Sequence, residues 1–144
     1  MTREEAATLA RERLGLEAAA SPLPGEHDRN FLLEESGGTR HLLKLLADPE
    51  ATALQDAALE WLAQSELRVG VPRLERTDDG LRLLSWVPGT PWAATGPHGP
   101  DALRSLGRAV ADVDRALAGF EHPDLGRRHP WNLLEAPAAR AAVA

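Results

Sequence analysis

The order of apolar and polar residues predicts a helix at the start of the chain and three strands after it. Thr2 and Glu5 have the spacing of a capping box, so we expect a helix over residues 2–15. Apolar runs bounded by turn residues then predict strands at residues 17–23, 30–34 and 39–46. The Gly37-Gly38 pair predicts a tight hairpin between the last two strands, since both positions accept positive φ.

A second helix and two further strands follow. Apolar residues such as Leu54 and Trp61 recur at helical spacing, which predicts a helix that opens at 48–50 and ends near residue 64. Residues 69–77 and 81–87 have the composition of strands and are separated by a tight Asp-Asp-Gly turn. These elements extend the sheet to five strands.

The segment 88–100 contains four prolines and three glycines and predicts a linker. A third helix starts at Pro100 and ends at Gly119, with a narrow apolar seam. The seam consists of Leu103, Leu106, Val110, Val113 and Leu117. The alanine-rich residues 131–144 predict another helix. This order predicts an α+β fold, in which a five-stranded antiparallel sheet is crossed by one helix.

Composition narrows the classes of protein that this chain can belong to. It has 144 residues, 43% of them hydrophobic, no cysteine and a formal net charge of −6. This charge and an aromatic content of 4% argue against binding to nucleic acid or to an anionic membrane surface. The N-terminus lacks the apolar core of a signal peptide, and no run approaches the ~18 apolar residues of a membrane span. We therefore expect a cytoplasmic protein.

The predicted order, together with particular sequence segments, resembles the N-terminal lobe of the protein-kinase-like fold in its aminoglycoside phosphotransferase family. The segments are LPGEHDRNFLLE, GGTRHLLKL, LQDAALEWLA, VPRL and LRLLSWVPG. They are most similar to hydroxylysine kinases and to the kinase domains fused to class III aminotransferases. The resemblance covers roughly residues 5–135. It implies a nucleotide-binding N-lobe at 1–87, a hinge at 88–100 and the helical start of a truncated C-lobe at 101–144.

Lys44 is the main candidate for phosphate binding. It interrupts the apolar run HLLKLLA, and strand alternation directs it to the same side as Leu42 and Leu46. A lysine on an apolar face is costly unless its ammonium group meets a partner. The resemblance implies that Lys44 holds the α- and β-phosphates of ATP. The alternative is a lysine at the sheet edge whose head lies in water.

In kinases a glutamate on the following helix orients this lysine, and the corresponding position here is Gln55. A glutamine can accept a hydrogen bond from Lys44 but adds no opposite charge. Glu50 or Asp56 could substitute, although Asp56 lies about 100° away around the helix. Gln55 as an ordinary solvent-facing residue is equally compatible with the sequence.

The polar loop after the first strand takes the place of the glycine-rich phosphate cover. The resemblance implies that main-chain N–H groups of this loop and the Asn30 side chain face the phosphates. The residues concerned are Gly25, Glu26, His27, Asp28 and Asn30. A solvated hairpin turn is the alternative that these residue types also fit.

The segment Ser85-Trp86-Val87 corresponds to the kinase hinge, which pairs with adenine through main-chain groups. The Ser85 carbonyl and the Val87 N–H are the expected contacts, and Trp86 is expected to pack rather than stack. We also expect three apolar residues to line the adenine slot, namely Leu33, Val69 and Leu83.

The aspartate base and the metal ligands of the family lie in an H-G-D-x-x-x-x-N loop and a later acidic motif, and neither occurs in this sequence. We therefore expect the chain to be part of a truncated or split gene, with no catalytic residue or metal ligand of its own. The resemblance implies ATP as the nucleotide, with Mg²⁺ bound only in a full-length enzyme. The implied acceptor is a hydroxyl of a small amino alcohol or amino acid.

Two other functions remain open at this stage. The chain can be a non-catalytic nucleotide-binding module, or a protein-interaction module in which Lys44 is incidental. An apolar seam on the third helix without a covering lobe would favour self-association. The five histidines lack metal-binding spacing, and we expect all of them on the surface or in loops.

Overall fold

The computed structural model describes residues 1–47 and 52–126. The helices are α1 (Arg3–Leu14), α2 (Thr52–Ala63) and α3 (Pro100–Leu117). The strands are β1 (Ala18–Leu23), β2 (Arg29–Glu35), β3 (Arg40–Leu45), β4 (Leu74–Asp78) and β5 (Leu81–Ser85). All pairings are antiparallel and the strand order is β1-β2-β3-β5-β4. The predicted α+β fold, with its five-stranded sheet, is thus confirmed.

Helix α1 packs on one face of the sheet. The predicted capping box is present, since the Thr2 hydroxyl accepts from the Glu5 N–H and the Glu5 carboxylate accepts from the Thr2 N–H. The small side chains of Ala6 and Ala10 are fully buried and let the helix approach the strands closely. They pack on a layer of strand side chains that we call the α1 face: Phe31, Leu33, Leu43 and Leu83.

The opposite side of the sheet carries three polar residues that concern the candidate site: Asn30, Lys44 and Arg82. Cross-strand pairing places Asn30 beside Lys44 and Lys44 beside Arg82, so these three side chains leave the sheet on the same side. Leu32, Leu42 and Leu84 share that side by the same register. We call it the α2 face, because α2 crosses it over Arg82. The prediction that Lys44 and Leu42 lie on the same side of the sheet is confirmed.

Arg82 joins α2 to the sheet. It is only 2% exposed, and its guanidinium lies beneath the first turns of the helix. Nη1 donates to Gln55 Oε1 at 3.1 Å, and Nη2 donates to the Thr52 carbonyl. Nη2 also lies 2.5 Å from Asp56 Oδ1, an ion pair without hydrogen-bond alignment. A buried arginine with a carboxylate and two further acceptors thus fixes where α2 begins.

The fourth strand is shorter than predicted. It begins at Leu74 rather than at residue 69, because Pro72 has no N–H to donate to a ladder and the chain reaches β5 only near Arg73. Arg73 and Ser85 are joined by their main chains, and the Ser85 hydroxyl also accepts from the Arg73 N–H. The start of the second helix at 48–50 and the helix expected at 131–144 lie outside the described residues.

Helix α3 packs against the end of α2 and leaves much of its apolar seam uncovered. Trp61 Nε1 donates to the Ala116 carbonyl at 2.7 Å, and the Trp61 ring meets Phe120 edge-on. Arg68 holds Asp112 with two hydrogen bonds of 2.9 and 3.0 Å. Beyond these contacts, Leu103, Leu106 and Val110 are about half exposed. None of the described helices is both long and apolar enough to cross a membrane.

His41 is buried, contrary to the expectation that every histidine lies on the surface or in a loop. Its Nε2 lies 2.9 Å from Glu35 and its Nδ1 lies 2.6 Å from Glu75. Glu75 sits at an irregularity in the β4–β5 pairing, between Leu74 and Arg76. Burial lowers the pKa of His41, but hydrogen bonds and charges of both glutamates outweigh it, so the pKa rises above 6.5.

The raised pKa of His41 makes part of the stability of the sheet depend on pH. The imidazolium is favoured in the folded state, so its contribution is complete below pH ~6.5 and is lost as the pH rises through the folded-state pKa. We expect the stability difference between wild type and His41→Gln, measured by urea unfolding, to shrink as the pH rises through that range. A difference that stays constant across the range would contradict this.

Replacing Arg82 should destabilise the fold strongly. Arg82→Met leaves the Asp56 carboxylate and the Thr52 carbonyl without their cation, and breaking a buried pair in this way costs about 3 kcal/mol or more. The measurement is the free energy of unfolding in urea. Arg40→Met is the matched control, because Arg40 pairs with Glu34 on the surface and its loss should change little. Equal effects of the two substitutions would refute the anchoring role of Arg82.

Candidate functional site

Lys44 is the centre of the candidate site. It is the only lysine in the sequence. It lies on β3, the middle strand of the sheet, so the alternative of a lysine at the sheet edge is wrong. Its ammonium group does not extend into open water but lies 2.9 Å from Asp28 Oδ2, with about a quarter of each side chain exposed.

Asp28 is held by two donors from different parts of the fold. Its Oδ2 pairs with Lys44, and its Oδ1 accepts a hydrogen bond from the Ala47 N–H at 3.1 Å. Burial raises the pKa of this carboxyl group. The hydrogen bonds from Lys44 and Ala47, together with the charges of Lys44 and Arg82, outweigh burial and lower the pKa below its ordinary 3.8. Asp28 is therefore a carboxylate at neutral pH.

The loop between β1 and β2 folds back tightly on itself over this pair. Asn30 Nδ2 donates to the Pro24 carbonyl at 3.1 Å. A Cβ on Gly25 would lie 2.3 Å from the Asp28 carbonyl oxygen and 2.6 Å from Asn30 Nδ2, so only glycine fits there. Glu26 and His27 are exposed at the tip of the loop. The loop is ordered by its own polar groups rather than left as an open turn.

The Asn30 side chain, opposite Lys44 on β2, has one polar atom that accepts no hydrogen bond from a described residue. Its Oδ1 is buried and has no hydrogen-bond partner among the described residues. A buried acceptor without a partner is costly. Asn30 is the cross-strand neighbour of Lys44, so this acceptor belongs to the same polar patch as the ammonium group.

Gln55 does not orient Lys44. Of the two readings of Gln55, the hydrogen bond to Lys44 is not formed: the residue is exposed, as in the other reading, and its Oε1 accepts from Arg82. Asp56, the possible substitute, also pairs with Arg82. The physical reason is that α2 starts over β5, where a forked guanidinium with five donors takes the acceptors of the helix. Glu50, the other possible substitute, lies outside the described residues.

The proposed hinge segment lies at the end of β5, the strand next to that of Lys44. Strand β5 ends at Ser85, and Trp86 and Val87 follow it. Lys44 pairs with Arg82, three residues before Ser85, so the two points are about 10 Å apart along the strand. The Val87 side chain is exposed, and a Cβ on Gly70 would lie 3.4 Å from its Cγ1.

The prediction that Leu33 and Leu83 line the adenine slot is wrong, whereas the assignment of Val69 stays a prediction. Leu33 and Leu83 belong to the α1 face and are buried in the core with α1. Val69 borders a hollow with Ala109, Val110 and Val113 on α3. The strand period of two explains the error for the leucines, since a shift of one residue moves a side chain to the opposite face. The apolar residues that share the face of Lys44 are Leu32, Leu42 and Leu84.

Two contributors to the site were missed from the sequence. Arg82 interrupts the apolar run LRLLSWV as Lys44 interrupts HLLKLLA, and this signal could have identified it. The Ala47 N–H leaves no trace in the sequence, since any residue but proline provides such a donor. The described residues contain no group of three or more His, Asp or Glu side chains placed to hold a metal ion.

The site can bind an anion and an apolar ring side by side. A single ammonium group, a main-chain donor and a buried amide acceptor lie at one end of the α2 face. Leucine side chains lie towards the other end of this face, where Trp86 and Val87 follow β5. In chemistry, the ammonium group and the main-chain donor suit the phosphates of a nucleotide, and the leucine side chains suit its base.

Comparisons with known proteins agree with this geometry. The hydroxylysine kinase of Danio rerio is 31% identical over 141 residues, which covers 81% of this chain and 39% of that protein. The crystal structure of the macrolide 2'-phosphotransferase MphH from Brachybacterium faecium has a TM-score of 0.58 at 27% identity, covering 83% of this chain and 47% of that one. The chain spans less than half the length of either.

A third similarity supports the fold alone. The streptomycin-ATP-APH(2")-IIa ternary complex matches with a TM-score of 0.59 at 13% identity, over 86% of this chain and 42% of that one. A sequence profile described as the phosphotransferase enzyme family, APH, matches residues 19–144, which include every strand except the first residue of β1. The chain therefore belongs to the APH phosphotransferase enzyme family.

Proposed function

We propose that this chain is the N-terminal nucleotide-binding portion of a small-molecule kinase that transfers the γ-phosphate of ATP to a hydroxyl group. The observation that carries the proposal is the position of Lys44. Its ammonium group lies on the α2 face beneath the β1–β2 loop, about 10 Å along the sheet from the segment 85–87. Membership of the APH family supports the same activity.

In this proposal the nucleotide lies along the α2 face. The base pairs with the Ser85 carbonyl and the Val87 N–H, and the half-buried Leu42 contacts its ring. The phosphates extend to Lys44, whose charge attracts their oxygens. The β1–β2 loop, with Gly25 to Asp28 and Asn30, lies over them. Residues 1–87 are the nucleotide-binding lobe, 88–100 the hinge and 101–144 the start of a second lobe.

In this proposal the residues of this chain bind and orient the nucleotide but do not transfer its phosphate. Lys44 would hold the α- and β-phosphates and leave the γ-phosphate pointing away from the sheet. The aspartate that takes the proton of the acceptor has no counterpart in this sequence, since the loop H-G-D-x-x-x-x-N does not occur in it. Mg²⁺, when bound in a full-length enzyme, neutralises charge on the phosphates. We propose that the isolated chain binds nucleotide and has no turnover of its own.

The acceptor is proposed from the relatives. The Danio rerio protein is a hydroxylysine kinase, which supports a small amino alcohol or hydroxylated amino acid as acceptor. A cytoplasmic location is proposed with it, since ATP is available there. We also propose that neither nucleic acid nor a membrane surface is a partner, in keeping with the net charge of −6.

Removing the amine of Lys44 tests the proposal directly. We expect Lys44→Ala to weaken ATP binding, measured by calorimetry, about tenfold or more, because one charge-assisted contact of ~1.5–3 kcal/mol is lost. Arg40→Ala is the control on the same strand, and it should bind ATP as the wild type does. Undiminished ATP binding by Lys44→Ala would refute the proposed function.

The exposed seam of α3 favours a second, compatible property, self-association. Leu103, Leu106 and Val110 form an apolar strip on one side of the helix, about half exposed and covered by none of the described elements. We expect the chain to associate with itself at high concentration in sedimentation velocity experiments, and Leu106→Glu to suppress this. The control is Arg108→Glu, which changes charge on the same helix without touching the strip. A monomeric wild type, or a variant that associates equally well, would contradict the proposal.

A further inference from the structure

The Asp28 carboxylate occupies a position that suits another anion. Its two oxygens are held separately, one by the Lys44 ammonium at 2.9 Å and one by the Ala47 N–H at 3.1 Å. One cation and one main-chain donor, placed to meet two oxygens of one group, are the donors that a phosphate group also uses. The geometry of the site is thus already that of an anion cradle.

Arg82 and Lys44 have different partners, and Lys44 is therefore available to bind a phosphate. Arg82 takes the acceptors of α2, so the helix does not compete for the ammonium group. Among the described residues Asp28 is the only ion-pair partner of Lys44. Within residues 1–47 and 52–126, the contact that must break to release the ammonium group is therefore the one with Asp28.

The Lys44 amine would not be left without acceptors when Asp28 leaves. Asn30 lies opposite Lys44 on β2, and its buried Oδ1 lacks a partner in the described part of the chain. A lysine ammonium has three donors, and a phosphate oxygen need occupy only one or two of them. The remaining donor can therefore be taken up by Asn30.

We propose that Lys44 Nζ and the Ala47 N–H form a phosphate cradle, and that Asp28 fills it as an internal stand-in until a nucleotide phosphate displaces it. The inference rests on the proposed function and deepens it. Asp28 acts as a positioning residue, because it sets how strongly an anion must bind before the loop yields. A polyphosphate carries enough charge to displace it, whereas a neutral nucleoside does not compete for the cradle at all.

The loop and the cradle respond together in this scheme. Asp28 belongs to the same tight turn as Gly25, whose missing side chain leaves room for the Asp28 carbonyl. Displacement of the carboxylate therefore moves the turn that is proposed to cover the phosphates. In this scheme, phosphate binding and the movement of the β1–β2 loop occur together.

Binding of inorganic tripolyphosphate, ATP and adenosine to the wild type and to Asp28→Asn tests the inference. We expect Asp28→Asn to bind tripolyphosphate and ATP about five- to tenfold more tightly, because the competing charge is gone. Adenosine should bind equally to both. Glu17→Gln removes the same charge at the far end of β1 and should match the wild type.

The single lysine allows a second measurement that needs no nucleotide. Acetylation of Lys44 by an amine-reactive reagent can be followed at one site by mass spectrometry. We expect it to be several-fold faster in Asp28→Asn than in the wild type or Glu17→Gln, since the Asp28 carboxylate holds the amine at 2.9 Å and restricts its approach to the reagent. Tripolyphosphate should slow it in Asp28→Asn.

The outcomes separate the two proposals. If the wild type binds ATP through Lys44 but Asp28→Asn binds polyphosphate no more tightly, the stand-in role is wrong and the proposed function stands. If removal of Asp28 speeds acetylation but neither protein binds ATP or tripolyphosphate, the proposed function fails and the phosphate cradle fails with it. Unchanged acetylation in Asp28→Asn would show that the pair does not form, and would overturn the inference.

Discussion

The structure depends on how two neighbouring cations on one face of the sheet are satisfied. Lys44 and Arg82 are cross-strand partners, and each lies among leucines where an unpaired charge would be costly. Arg82 is satisfied by α2, which fixes the helix above β5. Lys44 is satisfied by Asp28, which draws the β1–β2 loop over the sheet. The helix and the loop that border the candidate site are thus both positioned by the need to neutralise a buried charge.

Arg82 anchors α2 to the sheet, whereas Lys44 is the residue proposed to bind the ligand. An arginine suits the anchoring role because its planar fork can hold several acceptors at once and keeps its charge. A lysine suits the exchangeable role because it is a compact charge that can pass from one acceptor to another. Because Gln55 and Asp56 contact Arg82, the proposed phosphate site could change its contacts without loosening the helix.

The candidate site was only partly predictable, for a reason that lies in the two kinds of residue involved. Lys44 could be identified because a charge inside an apolar strand is conspicuous in any sequence. The partner of that charge could not, since Gln55, Asp56 and Asp28 are all polar residues at accessible positions. Leu33 and Leu83 were assigned to the wrong face because an error of one residue in the strand register reverses every side chain. His41 was misjudged because one of its two glutamates, Glu75, lies 34 residues away in the sequence.

The sequence by itself determined the elements, their order and the α+β class, because hydrophobic period, caps and turn glycines act over a few residues. It also determined that a single amine would face the α2 side of the sheet. Only the tertiary structure decided which acceptor each cation meets, that the Ala47 N–H donates to Asp28, and that His41 joins three strands. Such contacts depend on strand order and on where α2 crosses the sheet, and these follow from packing over the whole chain rather than from local preference.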